Sequence, residues 1–367
     1  MAVEPAPFTS IASLAIVAIV AVGGCSGTSA EPSERPAAAT PSASDSTELG
    51  DEELLELVRR SFAGPTERAA AALIDASGVR TAYIRADAST VFEVGSITKV
   101  FTGELLAEAV ERGEVRLGDA LGDHLEIGDA PVGAVSLRAL AAHTGGLPRF
   151  PTDPAIVDAA MADIEAGGDG IDATLDDLLA HARGLEIQSE PGYLYSNIGA
   201  ALLGQALAAA AGVDYPTLLA DRLLEPLGLD GASLPLDDAD VSTAHAGGFD
   251  RAGVAVEPTS LGAYAPVGGL HATLEDLIRF GEAVIDGELT GSAAQIDAID
   301  IGGGVAIGYF WRIDEDPDAR VLSHDGRTGS FSSVLLVDVM HGTAAIVLSN
   351  QDSGVGRIGA SLLDLAP

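Results

Sequence analysis

Hydrophobic periodicity changes twice along the chain, and this change constrains the fold more than any other feature of the sequence. Strand-like apolar runs occur near the start of the folded body, at 69–76 and 81–85, and return in its last third. Between them, segments rich in Ala and Leu repeat apolar residues at helical spacing. Because strand-forming segments flank a helical middle, we predict a mixed sheet closed by the two ends of the body, with an all-helical lobe inserted.

The individual elements follow from the same periodicities. Apolar residues recur at helical spacing from Ile97 to Val110, and Arg112-Gly113 ends this helix. Other helices are predicted at 52–60, 137–142, 174–182, 198–211, 216–224, 274–285 and 358–365. Other strands are predicted at 305–313, 334–339 and 344–348.

An apolar run at 11–22 precedes Cys25, the only cysteine of the chain. The run is too short to span a bilayer comfortably and is typical of an export signal. The position of Cys25 resembles a bacterial lipobox, so we predict lipidation at this residue. Glu4 and the lack of any basic residue before the run depart from the positive start of such signals, which leaves an apolar helix with an incidental cysteine as the alternative.

Residues 26–50 consist largely of Ser, Thr, Pro, Ala and Glu. Such a segment cannot bury enough apolar surface to offset its loss of conformational entropy, so we predict a flexible linker. The predicted organisation is a lipoprotein-type signal segment at 1–25, this linker at 26–50, and a folded domain at 51–365 with an α/β part at 51–113 and 235–365 and a helical lobe at 114–234. The protein is then exported, as a membrane lipoprotein facing outward or as a secreted protein.

Charge and cysteine content exclude several classes of function. The chain carries 19 basic and 55 acidic side chains, a formal net charge of −36. This surface repels phosphate backbones, which argues against a nucleic-acid partner, and we interpret the acidity as an aid to solubility. A single cysteine excludes an internal disulfide framework and a multi-thiolate metal site.

Lys99 is the only lysine, all other basic residues being arginine, and it follows Ser96 by three positions. Residues three apart on a helix share a face, so the amine and the hydroxyl can meet. A serine hydroxyl needs an adjacent base to become a good nucleophile, and a lysine with a lowered pKa can supply one. Ser96 and Lys99 are therefore candidate catalytic residues.

Two later segments carry further candidates. Tyr195 and Asn197 precede a predicted helix, where a loop could direct a phenol that transfers protons and an amide that binds a carbonyl into one cleft. His324 to Gly326 precede a strand, and a glycine on an edge strand allows close approach of a ligand. Taken alone, each segment is also compatible with an ordinary helix cap or a polar residue on a strand.

Together, these segments resemble the motifs of serine hydrolases with the penicillin-recognising fold, a family that includes class C β-lactamases, D-Ala-D-Ala carboxypeptidases and related esterases. The matching motifs are Ser96-Ile97-Thr98-Lys99, Tyr195-Ser196-Asn197 and His324-Asp325-Gly326. The likeness runs from about residue 69 to residue 350. It implies an α+β fold of the β-lactamase/transpeptidase type, with a mostly antiparallel sheet flanked by helices and an all-helical lobe.

The resemblance also implies a mechanism. Ser96 attacks a carbonyl and forms an acyl-enzyme, while Lys99 and Tyr195 share the proton transfers. The backbone N–H groups of Ser96 and Arg327 form the oxyanion hole. Neither a metal ion nor an organic cofactor is implied.

Substrate binding is the second implication of the resemblance. The residues it assigns to this task are Asn197, His324, Asp325, Gly326 and Arg327. Asn197 orients the substrate amide or the lysine, and His324 places a polar or cationic group beside Tyr195. The expected partner is a small-molecule or peptide substrate with an amide or ester bond.

Asp325 departs from the pattern of those relatives that bind a carboxylate, in which this position is commonly Thr or Ser. Inside the cleft, its charge would repel the carboxylate shared by penicillins and D-Ala-D-Ala peptides, unless the side chain of Arg327 turns inward and compensates. We therefore expect that efficient β-lactam hydrolysis is not the main activity.

The sequence thus predicts a monomeric serine hydrolase at the cell envelope, similar to D-Ala-D-Ala carboxypeptidases or to related amidases and esterases. A β-lactamase with the same residues is one alternative, and a non-catalytic penicillin-binding sensor module is another. An intact Ser96, Lys99 and Tyr195 argue against the sensor, because a binding module has no need of a nucleophile with its base.

The histidines other than His324 are not expected to take part in catalysis. His143 is interpreted as structural, because Gly145-Gly146 after it is typical of a helix exit. The remaining histidines are scattered and lack metal-ligand spacing, so the sequence predicts no metal site.

Overall fold

The computed structural model describes residues 48–62, 64, 67–151, 173–189, 192–250, 253–291, 297–351 and 354–366. Cys25, with the rest of the predicted signal segment and most of the predicted linker, lies outside the described residues. The strands are β1 Glu48–Gly50, β2 Ala69–Asp75, β3 Gly78–Ile84, β4 Phe92–Glu93, β5 Gly248–Phe249, β6 Ala255–Val256, β7 His271–Ala272, β8 Ile299–Gly302, β9 Val305–Gly308, β10 Trp311–Glu315, β11 Arg320–Arg327, β12 Ser332–Asp338 and β13 Thr343–Ser349.

Helices surround these strands. The α-helices are α1 Glu52–Ser61, α2 Thr98–Glu111, α3 Leu137–Ala141, α4 Leu175–Arg183, α5 Asn197–Ala211, α6 Tyr215–Leu219, α7 Ala265–Gly268, α8 Leu274–Ile285 and α9 Val355–Leu363. A π-helical turn at Ala220–Leu224 continues α6, and short 3-10 turns lie at Gly95–Ile97, Leu121–Asp123, Pro131–Ala134, Asp238–Asp240 and Gly262–Tyr264.

A nine-stranded sheet in the order β1-β3-β2-β13-β12-β11-β10-β9-β8 forms the centre of the described body. Every strand pair in it is antiparallel, so the mixed sheet expected from periodicity was wrong, whereas the mostly antiparallel sheet implied by the resemblance is confirmed. β2 pairs with β13, with Ala69 opposite Ser349. The early and late parts of the body therefore meet at the centre of one sheet.

β2 shows why the sequence of a central strand is a continuous apolar run. Ala69, Ala71 and Leu73 pack on one face with α1 and α9, and the residues between them pack on the opposite face with α2 and α8. Because successive side chains in a strand point to opposite faces, a strand that is covered on both faces must be apolar at every position.

One predicted strand boundary was wrong. The strand predicted at 305–313 is the hairpin of β9 and β10, which turns at Tyr309 and Phe310 with φ of +47° and +70°. Aromatic residues are not turn formers, so the sequence carries no signal for this turn. β1 lies within the last three residues of the predicted linker and pairs with β3, with Leu49 opposite Tyr83.

Between residues 114 and 234, the described residues form helices and no strand longer than an isolated bridge. α5 is buried over most of its length and contacts α2, α3 and α7.

No single helix of the described residues has the length and apolarity needed to cross a membrane. Asn197–Ala211 and Tyr215–Leu224 meet that criterion only as a pair, bent by 80°.

Candidate active site

Ser96 lies in the 3-10 turn Gly95–Ile97, which leads directly into α2. Gly95 has a φ of +51°, and a Cβ at this position would lie 2.7 Å from the backbone nitrogen of Arg327. Only glycine combines this backbone conformation with such a close approach. Gly95 therefore allows the end of β11 to pack against the 3-10 turn Gly95–Ile97, which we call the nucleophile turn.

The side chain of Lys99 is completely buried beneath Ser96. Its Nζ lies 2.9 Å from Ser96 Oγ and 2.9 Å from the carbonyl oxygen of Val267. Burial, reinforced by the positive charge of Arg149 and opposed by Asp325, holds the pKa of Lys99 well below its usual value. The unprotonated amine can accept the proton of the serine hydroxyl, which is the role predicted for it.

Tyr195 lies two residues before the start of α5 and packs over Lys99. The Nζ of Lys99 lies 5.1 Å from the centre of the Tyr195 ring. Burial raises the pKa of Tyr195 above its usual value, although its hydrogen bond with Ser96 opposes the shift. The phenol therefore keeps its proton at neutral pH and can donate it during a reaction.

His143 holds the segment that carries Tyr195. Its Nδ1 accepts a hydrogen bond from the Ser196 N–H at 3.1 Å, and its carbonyl oxygen accepts one from the Leu194 N–H at 2.8 Å. The two rings of His143 and Tyr195 lie 4.4 Å apart between centres. These contacts support the structural role expected for His143, whose pKa burial lowers well below its usual value.

The last residues of β11 form a local edge of the sheet. β10 pairs with this strand only as far as Ser323, so His324 to Arg327 have β12 on one side and the nucleophile turn on the other. A Cβ at Gly326 would overlap the carbonyl oxygen of Val94. The backbone N–H of Arg327 thus comes close to Gly95-Ser96, as the predicted oxyanion hole requires.

His324 is buried against the phenol of the site. Its ring centre lies 6.4 Å from that of Tyr195, and its Nδ1 lies 2.8 Å from the carbonyl oxygen of Asp325. Burial is the main reason that the pKa of His324 is lowered to about 4, with Asp325 opposing and Lys99 adding to the shift. At neutral pH His324 is therefore a neutral polar group, and not a cation.

Asn197 is the first residue of α5, and Ser196 caps this helix by accepting the Gly199 N–H at 3.0 Å. The Asn197 N–H donates to the carbonyl oxygen of Arg149 at 3.0 Å. In the described part of the chain, the buried Oδ1 of Asn197 has no hydrogen-bond partner. An unpaired buried acceptor beside the site suits a donor from a substrate or from the lysine.

Charged groups border the opening of the site. Asp325 and Arg149 are both exposed, yet Asp325 raises and Arg149 lowers the pKa of Lys99, so both charges lie near the catalytic residues. The guanidinium carbon of Arg149 lies 5.3 Å from the centre of the Tyr195 ring. Sequence reasoning missed Arg149, because a single arginine in a loop carries no signal beyond its place after Pro148.

Comparison with known proteins identifies the family of this chain. The profile of the β-lactamase family matches residues 58–365. This chain belongs to the β-lactamase family. It is accordingly an enzyme, a serine hydrolase of the β-lactamase family.

Curated relatives within the β-lactamase family are distant. Penicillin-binding protein 4 of Amycolatopsis lactamdurans is 26% identical over 303 residues, covering 75% of this chain and 76% of the relative. The β-lactamase of Escherichia coli (strain K12) is 28% identical over 195 residues, covering 52% of this chain and 47% of the relative.

Solved structures of the β-lactamase family share the fold. A class C β-lactamase aligns with a TM-score of 0.71 at 17% identity, covering 86% of this chain and 95% of the other. The β-lactamase/D-alanine carboxypeptidase of Pseudomonas syringae aligns with a TM-score of 0.72 at 18% identity, covering 86% and 99%. The α+β class and the resemblance stated from the motifs are thereby confirmed.

Proposed function

We propose that this enzyme forms an acyl-enzyme on Ser96 and hydrolyses amides or esters that resemble D-alanyl peptides at the cell envelope. The observation that carries the proposal is the 2.9 Å distance between Ser96 Oγ and the fully buried Nζ of Lys99. A serine nucleophile needs a base in contact with its hydroxyl, and burial favours the neutral form of the lysine amine that can act as this base.

The reaction proceeds in two halves. Ser96 Oγ attacks the carbonyl carbon while its proton passes to Lys99, and the N–H groups of Ser96 and Arg327 stabilise the oxyanion. The bond to the leaving group then breaks, and this group takes a proton from the Tyr195 phenol, which recovers one from Lys99. Water attacks the acyl-enzyme in the same way, with Lys99 and Tyr195 again transferring the protons, and releases the acid and the free Ser96.

The names of several similar proteins include a D-alanine or D-alanyl-D-alanine carboxypeptidase, which supports a D-alanyl peptide as the substrate class. Asp325 and Arg149 oppose each other in charge at the opening. With Arg149 present, a substrate carboxylate is not excluded, but Asp325 disfavours it in comparison with a neutral residue. We therefore place hydrolysis of peptide amides or esters ahead of hydrolysis of β-lactams.

A β-lactamase is the second candidate, because relatives with that name are 28% identical or more over part of the chain. A non-catalytic penicillin sensor is the third. The lifetime of the acyl-enzyme separates the two hydrolases from the sensor, because it is short for the true substrate of a hydrolase and long for a sensor that only binds. The compound that is turned over separates the two hydrolases from each other.

Mass spectrometry of the intact protein separates these candidates. The protein is incubated with a panel of β-lactams, D-Ala-D-Ala peptides and short-chain esters, and the mass of the adduct and the released product are followed over time. We expect a transient adduct and steady product release with a peptide or an ester. Rapid turnover of a cephalosporin alone would favour a β-lactamase, and a stable adduct without turnover of any compound would favour a sensor.

Ser96→Ala should remove both adduct and turnover. Ser361→Ala, at an exposed serine on α9, is the matched control and should change neither. An adduct that persists in Ser96→Ala would place the nucleophile elsewhere and overturn the proposal.

We further propose that the enzyme is exported and anchored through a lipid on Cys25. The support is the apolar run at 11–22 and its spacing to the single cysteine. Metabolic labelling of the full chain with a radioactive fatty acid tests this proposal, because Cys25→Ser should abolish labelling and release the protein from the membrane fraction. Equal labelling of both proteins, or none of either, contradicts it.

A further inference from the structure

A buried cluster of Glu93, His245 and His271 lies outside the catalytic residues. Glu93 on β4 lies opposite His271 on β7, and His245 forms a parallel bridge with Val91, close to β4. One potential ligand atom from each of the three residues lies within 4.8 Å of the others. Strand pairing therefore brings together residues that no metal-ligand spacing relates in the sequence.

Several polar atoms of this cluster are buried without a hydrogen-bond partner among the described residues. Glu93 and His271 are each 1% exposed, and the His245 side chain is 6% exposed. Among the residues that the structure describes, Glu93 Oε2, His245 Nε2 and both ring nitrogens of His271 have no hydrogen-bond partner. Buried polar groups are nearly always paired, so unpaired atoms on three residues whose potential ligand atoms lie within 4.8 Å of one another suit a shared ligand.

We propose that Glu93, His245 and His271 bind a divalent transition-metal ion, with Zn²⁺ as the expected occupant. Two imidazoles and one carboxylate are donors that suit Zn²⁺, Co²⁺ and Ni²⁺, whereas Mg²⁺ and Ca²⁺ prefer all-oxygen sites. A water molecule would supply the fourth ligand of a tetrahedral ion.

The ligand atoms are already close to the required arrangement. His245 Nε2 lies 3.5 Å from Glu93 Oε1, and the two imidazole rings lie 5.2 Å apart between centres. Glu93 Oε1 also accepts the Thr259 N–H at 3.0 Å, which holds the carboxylate in place.

One hydrogen bond must change on binding. His245 Nδ1 accepts the Gly247 N–H at 3.3 Å, which places the ring proton on Nε2. An ion bound at Nε2 requires this proton to move to Nδ1, with loss of the Gly247 contact. At 3.3 Å that contact is long, so its loss is a small obstacle.

The proposed metal site lies directly behind the nucleophile turn. Val94, the residue after Glu93, donates its N–H to the Leu270 carbonyl at 3.0 Å and accepts the Ser333 hydroxyl at 2.7 Å. Leu270 in turn precedes His271. A bound ion would therefore join β4 to β7 beside Gly95-Ser96, and would stabilise this turn without contacting the reacting atoms.

Metal titration of the metal-stripped full-length protein tests the proposal independently of its hydrolase activity. ZnCl₂ binding is measured by calorimetry and thermal unfolding, and CoCl₂ binding by visible absorption. We expect one equivalent to bind with a micromolar or lower Kd, Tm to rise by several degrees, and Co²⁺ to show the absorption of a four- or five-coordinate site. His271→Phe should abolish all three effects, and Glu93→Gln should weaken Zn²⁺ binding at least tenfold.

His341→Ala is the matched control, because the side chain of His341 is 58% exposed and pairs with Asp338 far from the cluster in sequence. It should leave the metal response unchanged. In the absence of metal, His271→Phe should unfold at or above the wild-type Tm, since it removes two unpaired buried nitrogens and keeps an aromatic ring. The proposal fails if the wild type binds no stoichiometric metal, or if both His271→Phe and Glu93→Gln bind Zn²⁺ as tightly as the wild type, which would indicate adventitious binding at exposed carboxylates.

Discussion

Lys99 Nζ lies 2.9 Å from Ser96 Oγ, and the whole lysine side chain is shielded from solvent. The second contact of this nitrogen is the carbonyl oxygen of Val267 and not a carboxylate. An ammonium group in this position would have no anion in contact to offset its lost hydration, so the surroundings favour the neutral amine. Burying the Lys99 amine without an anion therefore lowers the stability of the fold, and the same burial supplies the site with a base.

Replacing Lys99 with Met should abolish activity and stabilise the fold. Since the folded-state pKa of Lys99 is lowered, the unfolded chain binds the extra proton over the pH range between this lowered pKa and the usual value of 10.5, and the fold loses stability as the pH falls across that range. We expect kcat/KM to fall by about 10³-fold or more, and the free energy of unfolding at pH 7 to rise by about 1 to 4 kcal/mol. Ester hydrolysis and urea unfolding measure the two effects.

Lys99→Arg is the companion variant, because its guanidinium cannot lose its proton and cannot act as the base. It should be inactive and less stable than the wild type. Activity of Lys99→Met within tenfold of the wild type would show that another group removes the proton of Ser96.

The pH profile of kcat/KM should have an acid limb that reports Lys99. Activity needs the unprotonated amine, so it is lost as the pH falls through the lowered pKa of Lys99. Arg149 lowers this pKa and Asp325 raises it. Arg149→Gln should therefore move the limb to higher pH and Asp325→Asn to lower pH, each on the order of half a pH unit or less at low salt.

Both shifts should shrink in high salt, because the two side chains are exposed and their charges are screened. His324→Gln should leave the limb in place, since His324 is already neutral above about pH 4. A limb that disappears in His324→Gln would assign it to the histidine.

Asp325→Thr should raise kcat/KM for substrates that carry a carboxylate. Removing an anion at the opening lowers the repulsion of an incoming anion, and we expect kcat/KM for a D-Ala-D-Ala peptide or a penicillin to rise by roughly tenfold. A neutral acetate ester is the control substrate, and its kcat/KM should change by less than twofold. Equal gains with both substrates would mean that Asp325 acts on the catalytic residues and not on the carboxylate.

Glu104 should make the fold less stable as the pH rises. This buried carboxyl on α2 accepts the Gly291 N–H at 2.6 Å and lies 3.4 Å from Trp311 Nε1, and burial raises its pKa to about 7. Its stabilising contribution is complete below the unfolded pKa of about 4.5 and is lost as the pH rises through about 7. The loss between these limits amounts to roughly 3 kcal/mol.

Urea unfolding at several pH values tests this prediction. Glu104→Gln should remove the decline, because the amide stays neutral throughout, whereas the exposed Glu111→Gln on the same helix should keep it. The same pH dependence in Glu104→Gln and in the wild type would assign the decline to other groups.

Local periodicity was enough to predict the contact between Ser96 and Lys99, because a separation of three residues in helical backbone fixes their distance, even though Ser96 lies in the 3-10 turn before α2. The helix at Leu274–Ile285 was predicted for the same reason. The resemblance supplied Tyr195 and His324, which the structure brings within 6.4 Å between ring centres. The proximity of these residues thus needed knowledge of the family in addition to spacing.

Contacts that depend on strand register or on loops could not be predicted. The pairing of Glu93 with His271 follows from the register of β4 and β7, and neither two-residue strand has a recognisable pattern. Arg149 approaches Tyr195 from a loop, where no periodicity relates the two residues. The turn at Tyr309 and Phe310 is set by its surroundings, since aromatic residues with positive φ have no local preference for that conformation.

The pairing of β2 with β13 has a consequence for how this molecule is made. During synthesis, Ser96 and Lys99 leave the ribosome early. The Arg327 N–H and β13, the strand that pairs with β2, follow only after residue 320. A fragment cut before residue 320 would carry the nucleophile and its base without the strand edge that faces them. Such a nascent or proteolysed fragment should be catalytically inert, and activity should begin only with the completed chain.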